Sequence, residues 1–222
     1  MNIKISGQIA MNPFEHLTEA VIKGDMQTAV AETRRVLDDG WDFKKVLEEG
    51  LFVAMDEVGQ RYSKGLLFVP EMLQSARAMQ ECMKLLRPFF QKGDLPSKGK
   101  VIIGTVRKDI HNIGKNLVVM MMEGGGFTVT DLGVDVSPKT FVQKARELEV
   151  DIVAMSALLS TTMVAMKETI EALKKAGIRD RVKVMIGGAP VTEGYAQQIG
   201  ADSYAPDAGS AVIEAKKLLA IY

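Results

Sequence analysis

A chain of 222 residues has room for one large domain or two modest ones. Its 28 basic and 28 acidic residues cancel, so no global field favours nucleic acid or an acidic membrane surface. Cys82 is the only cysteine, which excludes an internal disulfide framework and leads one to expect a reducing, cytoplasmic setting. No apolar run approaches the ~20 residues that span a bilayer, and the opening MNIKISGQIAMNP lacks the apolar core of a signal peptide. Cys82, His16 and His111 are too few to build a structural zinc site. A metal bound here would owe most of its coordination to a cofactor.

Residues 12–90 predict helices only. Phe14, Leu17, Ala20 and Val21 recur at helical spacing, and after a Gly24-Asp25 break so do Met26, Ala29, Val30 and Val36. Asp42 is an N-cap for a helix to about Arg61, with Val46, Leu47, Leu51, Val53, Ala54 and Val58 turned inward. Gly65 then turns the chain, and Pro70 opens a last helix to about Phe90 that carries Met72, Leu73, Ala76, Met79, Met83 and Leu86. Short-linked helices of this kind suggest a four-helix bundle. Residues 91–99, in the polar QKGDLPSKGK, predict a linker.

Residues 100–222 alternate. The runs VIIGTV, FTVTDLG, DIVAMSAL, VKVMIGGA and DSYAP predict strands, separated by helices at about 113–123, 138–149, 162–176, 192–199 and 208–220. Five βα units imply a flavodoxin-like parallel sheet covered by helices on both faces. Met120, Met121 and Met122 fit core filler, and Gly124-Gly125-Gly126 a helix end.

In such sheets ligands bind beyond the carboxyl ends of the strands, where the strand order reverses. The order 2-1-3-4-5 puts that crevice between the first and third strands. The unusual loops fall there: RKDIHNIG after the first strand, SALLSTT (156–162) after the third, GGAP (187–190) after the fourth and PDAG (206–209) after the fifth. The loop after the second strand, GVDVSPK, reads as plain capping by Ser137 with Pro138 behind it. Asp109 can reach the ring of His111 in the same loop and orient it for a metal, with a hydroxyl from Ser160 or Thr162 acting on the carboxylate. Gly114 would allow the next helix a close approach. The same letters also fit a capping turn at Asp109 and Asn112, GGA fits close packing as well as a phosphate nest, and Thr161-Thr162 fits an N-cap.

Taken together, DIHNIG (109–114), SALLSTT (156–162) and GGA (187–189) resemble, in order and rough spacing, the cobalamin-binding corrinoid proteins of methanol, methylamine and methoxyaromatic methyltransferase systems. They are similar also to the cobalamin module of methionine synthase. Residues 48–79, EEGLFVAMDEVGQRYSKGLLFVPEMLQSARAM, resemble that family's helical cap. The resemblance covers nearly the whole chain from residue 12. It implies a helical cap over residues 12–90 and a cobalamin-binding domain over 100–222.

The resemblance further implies that cobalamin binds with its dimethylbenzimidazole tail off the cobalt, in a crevice lined by Ser156, Leu158, Gly187, Gly188, Ala189 and Ala208. His111 would be the lower axial ligand of cobalt, within a loop contributing Lys108, Asp109, Ile110, Asn112 and Gly114. Asp109 and Thr162, with Ser160 nearby, would form the proton relay. Methionine synthase has serine at the Thr162 position, and glycine is common where Lys108 stands. Tyr62 and Val69 match cap positions that shield the upper face, and Glu48 one that reaches the cofactor.

The implied function is a methyl shuttle between Co(I) and methyl-Co(III). Its partners would be a substrate-specific methyltransferase, a second methyltransferase acting toward a thiol coenzyme or folate, and a reductive activase in an anaerobic host. The cap would swing aside to let each partner in. The alternative is a cobalamin-dependent sensor, which needs an output module that residues 1–11 are too short to supply. Neither the methyl donor nor the acceptor is written in the sequence.

Overall fold

In the computed structural model, residues 12–89 and 97–221 are described. Residues 1–11 and most of the expected linker, 91–96, lie outside them. The helical half begins with α1 (Glu15–Ile22) and α2 (Met26–Asp38), separated by Gly24 at φ 70°. Asp25 caps α2, its side chain accepting from Thr28 N at 3.1 Å. Asp42 caps the next helical run, accepting from Lys44 N at 2.7 Å.

That run comprises α3 (Phe43–Lys45), a π-wound segment (Val46–Leu51) and α4 (Phe52–Ser63). The π winding was not foreseen from periodicity. It lies where α1 packs on bare backbone: a Cβ on Gly50 would sit 3.2 Å from Leu17 Cδ2 and 3.3 Å from Phe14 Cβ. The last cap helix, α5 (Val69–Leu86), has Pro70 in its first turn, and Glu71 accepts from Phe68 N at 2.9 Å.

The second half runs β1 (Lys100–Thr105), α6 (Ile113–Gly124), β2 (Thr128–Asp131), α7 (Pro138–Leu148), β3 (Ile152–Ser156), α8 (Val164–Lys175), β4 (Lys183–Gly187), α9 (Glu193–Ile199), β5 (Ser203–Ala205) and α10 (Ala208–Leu218). All five strands are parallel, in the order β2-β1-β3-β4-β5. The strand ends therefore line up, with Thr105 beside Ser156, Ser156 beside Gly187, and Gly187 beside Ala205. Side-chain alternation along the strands splits the apolar residues into two cores. Ile102, Val153 and Val184 join Phe141, Met166 and Ala196 of α7, α8 and α9. Val101, Ile103 and Ala154 join Met121, Met122 and Val212 of α6 and α10.

The cap shares this second core. Phe52, Met55 and Val58 of α4 belong to it, so the layers run cap, α6 and α10, sheet, then α7 to α9. Glycines bring the layers together: a Cβ on Gly209 would sit 2.3 Å from Gly59 O, one on Gly126 2.8 Å from the Phe52 ring, and one on Gly124 2.8 Å from Met55. Gly124 to Gly126 thus do more than end α6. Polar links edge the seam. Ser63 Oγ donates to Asp207 at 3.1 Å. Asp56 pairs with Lys216 of α10 and, at 3.8 Å, with Lys98. Burial pulls the Lys98 ammonium down to about 8, against the attraction of Asp56.

Candidate functional site

The end of β1 continues into a loop held on both sides. Val106 N donates to Ser156 O at 3.0 Å, and Val106 bridges Val136. Lys108 takes φ 66°, a region costly for a residue with a β-carbon. Beyond it the chain turns the Asp109 side chain inward, with no exposed surface, and leaves His111 half exposed.

Both oxygens of Asp109 are occupied. Oδ1 accepts from His111 N at 3.1 Å and from His111 Nδ1 at 2.8 Å. Oδ2 accepts from Leu158 N at 2.8 Å, Leu159 N at 3.3 Å and Thr162 Oγ1 at 2.8 Å. Burial opposes ionisation of this carboxyl. The donors at Leu158, His111 and Thr162 outweigh it and hold the group well below the usual carboxylate range. An ionised carboxylate accepts only, so the ring proton of His111 sits on Nδ1. Nε2 makes no hydrogen bond among the described residues, and in the neutral ring it carries the lone pair. The backbone of His111 is fixed as well, since Thr105 Oγ1 donates to His111 O at 2.8 Å.

Beside the ring opens a cavity of about 570 Å³ over the ends of β1, β3, β4 and β5. Its walls include His111, Ser156, Leu158, Gly187, Gly188, Ala189 and Ala208, together with Ile110, Asn112 and Gly114. Gly187 and Gly188 serve close packing: a Cβ would sit 2.8 Å from Ala205 O and 1.9 Å from Ala157 O respectively. A Cβ on Gly114 would meet nothing within 4 Å. Close packing of protein on protein therefore does not explain that glycine, which faces the cavity instead. Ile110 and Ile113 are 73% and 80% exposed at this wall, an apolar surface that asks for a covering group.

Other expected residues are placed differently. Asp109 and Thr162 are buried behind His111 rather than on the cavity wall, and Thr162 bonds Asp109 instead of capping α8. Ser160 is exposed and stands apart from the cavity lining, so the choice between the two hydroxyls falls to Thr162. Lys108 is exposed and does not line the cavity. Of the cap residues Tyr62 lines it; Val69 and Glu48 do not, and Glu48 acts instead on the charge of Lys98.

Sequence reasoning missed Lys115 and Asp135. Lys115 is 2% exposed, lines the cavity and pairs with Asp131 at the end of β2. Ser137 does cap α7, accepting from Thr140 N at 3.1 Å, but Asp135 in the same loop accepts from Lys108 N at 2.7 Å. Only the loop's composition, Gly-Val-Asp-Val between a strand and a capped helix, hinted at a second task.

Comparison with known proteins decides the family. Residues 99–213 match the model of a B12 binding domain, and residues 13–87 match a second B12 binding domain model. Trimethylamine corrinoid protein 2 of Methanosarcina mazei is 43% identical, over 91% of this chain and 94% of that protein. The chain is a corrinoid protein of the methylamine and methanol methyltransferase type.

Among solved structures, a cobalamin-binding protein of Desulfitobacterium hafniense aligns with a TM-score of 0.79 at 30% identity, over 91% of this chain and 96% of that one. A chain of the methanol:cobalamin methyltransferase complex of Methanosarcina barkeri aligns at 0.82 with 27% identity, over 94% of this chain and 80% of that one. The site suits a corrinoid protein. Among the described residues no three His, Cys, Asp or Glu side chains gather to hold a metal ion. The His111 imidazole, its Nδ1 against Asp109, stands beside a slot walled by glycine, alanine and exposed isoleucine. No helix among the described residues is long and apolar enough to cross a membrane.

Proposed function

We propose that this corrinoid protein carries methyl groups on cobalamin held with its dimethylbenzimidazole tail off the cobalt and His111 in its place. Bound corrinoid supplies a cobalt centre able to take up a methyl group and give it away. The rest of the work falls to the chain. Asp109 holds the Nδ1 proton of His111 and so keeps Nε2 free to ligate. Thr162 and the amides of Leu158 and Leu159 hold Asp109 ionised without leaving it a choice of orientation. The slot between Ser156, Gly187, Gly188 and Ala208 would receive the tail. Tyr62 brings the cap to the cavity wall, where it excludes water until a methyltransferase displaces the cap. A partner that gives the methyl group and another that takes it are what such a carrier needs.

The observation that carries this reading is the buried Asp109–His111 contact beside an apolar slot. The experiment mixes apo-protein with hydroxocobalamin, removes free cofactor by gel filtration, and records cobalt content and visible spectrum. Near-stoichiometric cobalt with a nitrogen-ligated spectrum is expected. His111→Ala should retain cobalt and lose that spectrum. An unchanged spectrum in the variant removes His111 as ligand, and no retained cobalt in the wild type overturns the reading.

A further inference from the structure

We infer that Asp135, in the loop after β2, is a positioning residue for His111; this deepens the reading of His111 as the cobalt ligand and rests on it. Two loops meet here, and each holds a non-glycine residue at positive φ: Lys108 at 66° and Asp135 at 54°. Such a conformation persists at a residue with a β-carbon only where the surroundings over-determine it. They do so reciprocally. Lys108 N donates to Asp135 Oδ1 at 2.7 Å, and Asp135 N donates to Asp109 O at 2.9 Å. The turn at Lys108 is what sends the Asp109 side chain into the protein and leaves the imidazole at the cavity.

The contacts on either side extend the same clasp. Thr105 N donates to Gly133 O at 3.0 Å and Val136 N to Thr105 O at 2.9 Å. Asp131 accepts from Gly133 N at 2.8 Å with one oxygen and pairs with buried Lys115 of α6 with the other. The segment 131–136 thus holds the His111 loop from its start to the first turn of α6. Asp135 touches neither the imidazole nor the cavity wall. Its side chain acts through Lys108, while its amide holds the Asp109 carbonyl.

The test compares Asp135→Asn, Asp135→Gly and Asp135→Gly with Lys108→Gly. Asparagine keeps the acceptor and tolerates φ 54°, so it should behave as wild type. Glycine relieves the backbone at 135 while removing the acceptor, which isolates the bond to Lys108. In the apo-protein, ¹⁵N spectra of the imidazoles should show His111 leaving its fixed Nδ1–H tautomer; with two histidines in the chain, assignment is direct. After loading with hydroxocobalamin, the ratio of His-ligated to unligated cofactor should fall roughly tenfold. Lys108→Gly in the same chain should restore both signals, because glycine adopts φ 66° unaided. Unchanged tautomer and ligation in a folded Asp135→Gly overturn the inference. So does failure of Lys108→Gly to restore them, which would reduce Asp135 to a contributor to general stability. If wild type takes up no cobalamin, the ligand reading fails instead, and the tautomer measurement still decides whether Asp135 positions the ring.

Discussion

Asp109→Asn changes one buried oxygen to an amide nitrogen at nearly constant shape, and the donors around the site decide which way the new amide turns. With its nitrogen in the Oδ2 position, asparagine faces the N–H groups of Leu158 and Leu159, both donors. Thr162 can escape the conflict by donating to Leu159 O, which lies 2.8 Å from its Oγ1. Two backbone N–H groups are then unpaired, at about 1–3 kcal/mol each. With its nitrogen in the Oδ1 position, asparagine faces His111 N, which has no alternative, and His111 Nδ1, which has one. The ring moves its proton to Nε2 and accepts through Nδ1, so a single N–H is lost.

The second arrangement is therefore preferred by about 1–3 kcal/mol, the worth of one unpaired N–H. It is also the arrangement in which Nε2 carries a proton and cannot ligate cobalt. Ligation in the variant must reverse that preference, so the ratio of His-ligated to unligated corrinoid should fall roughly ten- to hundredfold. The visible spectrum of the loaded protein reads the ratio, and ¹⁵N shifts of the apo-protein read the tautomer. A variant that keeps its proton on Nδ1 in the apo form, or its full His-ligated spectrum, refutes the reasoning. It would mean that something other than the carboxylate sets the ring.

Packing and charge give three further expected outcomes. Gly114→Ala, with nothing within 4 Å, should leave the unfolding midpoint in urea unchanged or raise it while reducing cobalamin uptake. Gly209→Ala puts a Cβ 2.3 Å from Gly59 O, so the cap must shift, and hydrogen exchange should rise along α4. Burial holds Lys98 at about 8 in the folded protein, below its unfolded value, so the unfolded chain binds more protons between about pH 8 and 10.5 and wild-type stability rises with pH there. Against Lys98→Met, which lacks the titration, wild type should gain about 2–3 kcal/mol across that window; parallel stability curves would show that burial of the ammonium has no effect.

The sheet was legible because its information is local. Each β-rich run and capped helix announces itself, and the right-handed βα rule leaves few orders, of which 2-1-3-4-5 is the one found. The two sides of the site were legible for the same reason: RKDIHNIG and SALLSTT are loops at neighbouring strand ends. What was not legible depends on which groups meet across loops. Ser160 and Thr162 offer the same hydroxyl, and only the fold selects Thr162. Lys115 reads as a surface charge, yet it is buried against Asp131 from another strand. Asp135 hid behind a genuine N-cap two residues later. The π turn at Val46–Leu51 leaves no trace in periodicity, because α1 packing at Gly50 is a tertiary event.

The seam between the halves bears on how such a carrier can work. A polar linker by itself suggests a cap that moves freely. The cap instead shares an apolar core with α6 and α10, in which Met55 lies against Gly124 and Phe52 against Gly126. Displacing it uncovers Met121, whose methyl lies 3.4 Å from where a Cβ on Gly59 would sit, a surface that water disfavours. It also breaks the Asp56 pairs and the Ser63–Asp207 bond. If a partner opens the cap as proposed, it must supply comparable contacts in return. A chain beginning at Lys100 should accordingly aggregate unless Met121 is made polar. If that truncated chain stays monomeric unaltered, the shared core contributes little to holding the cap in place.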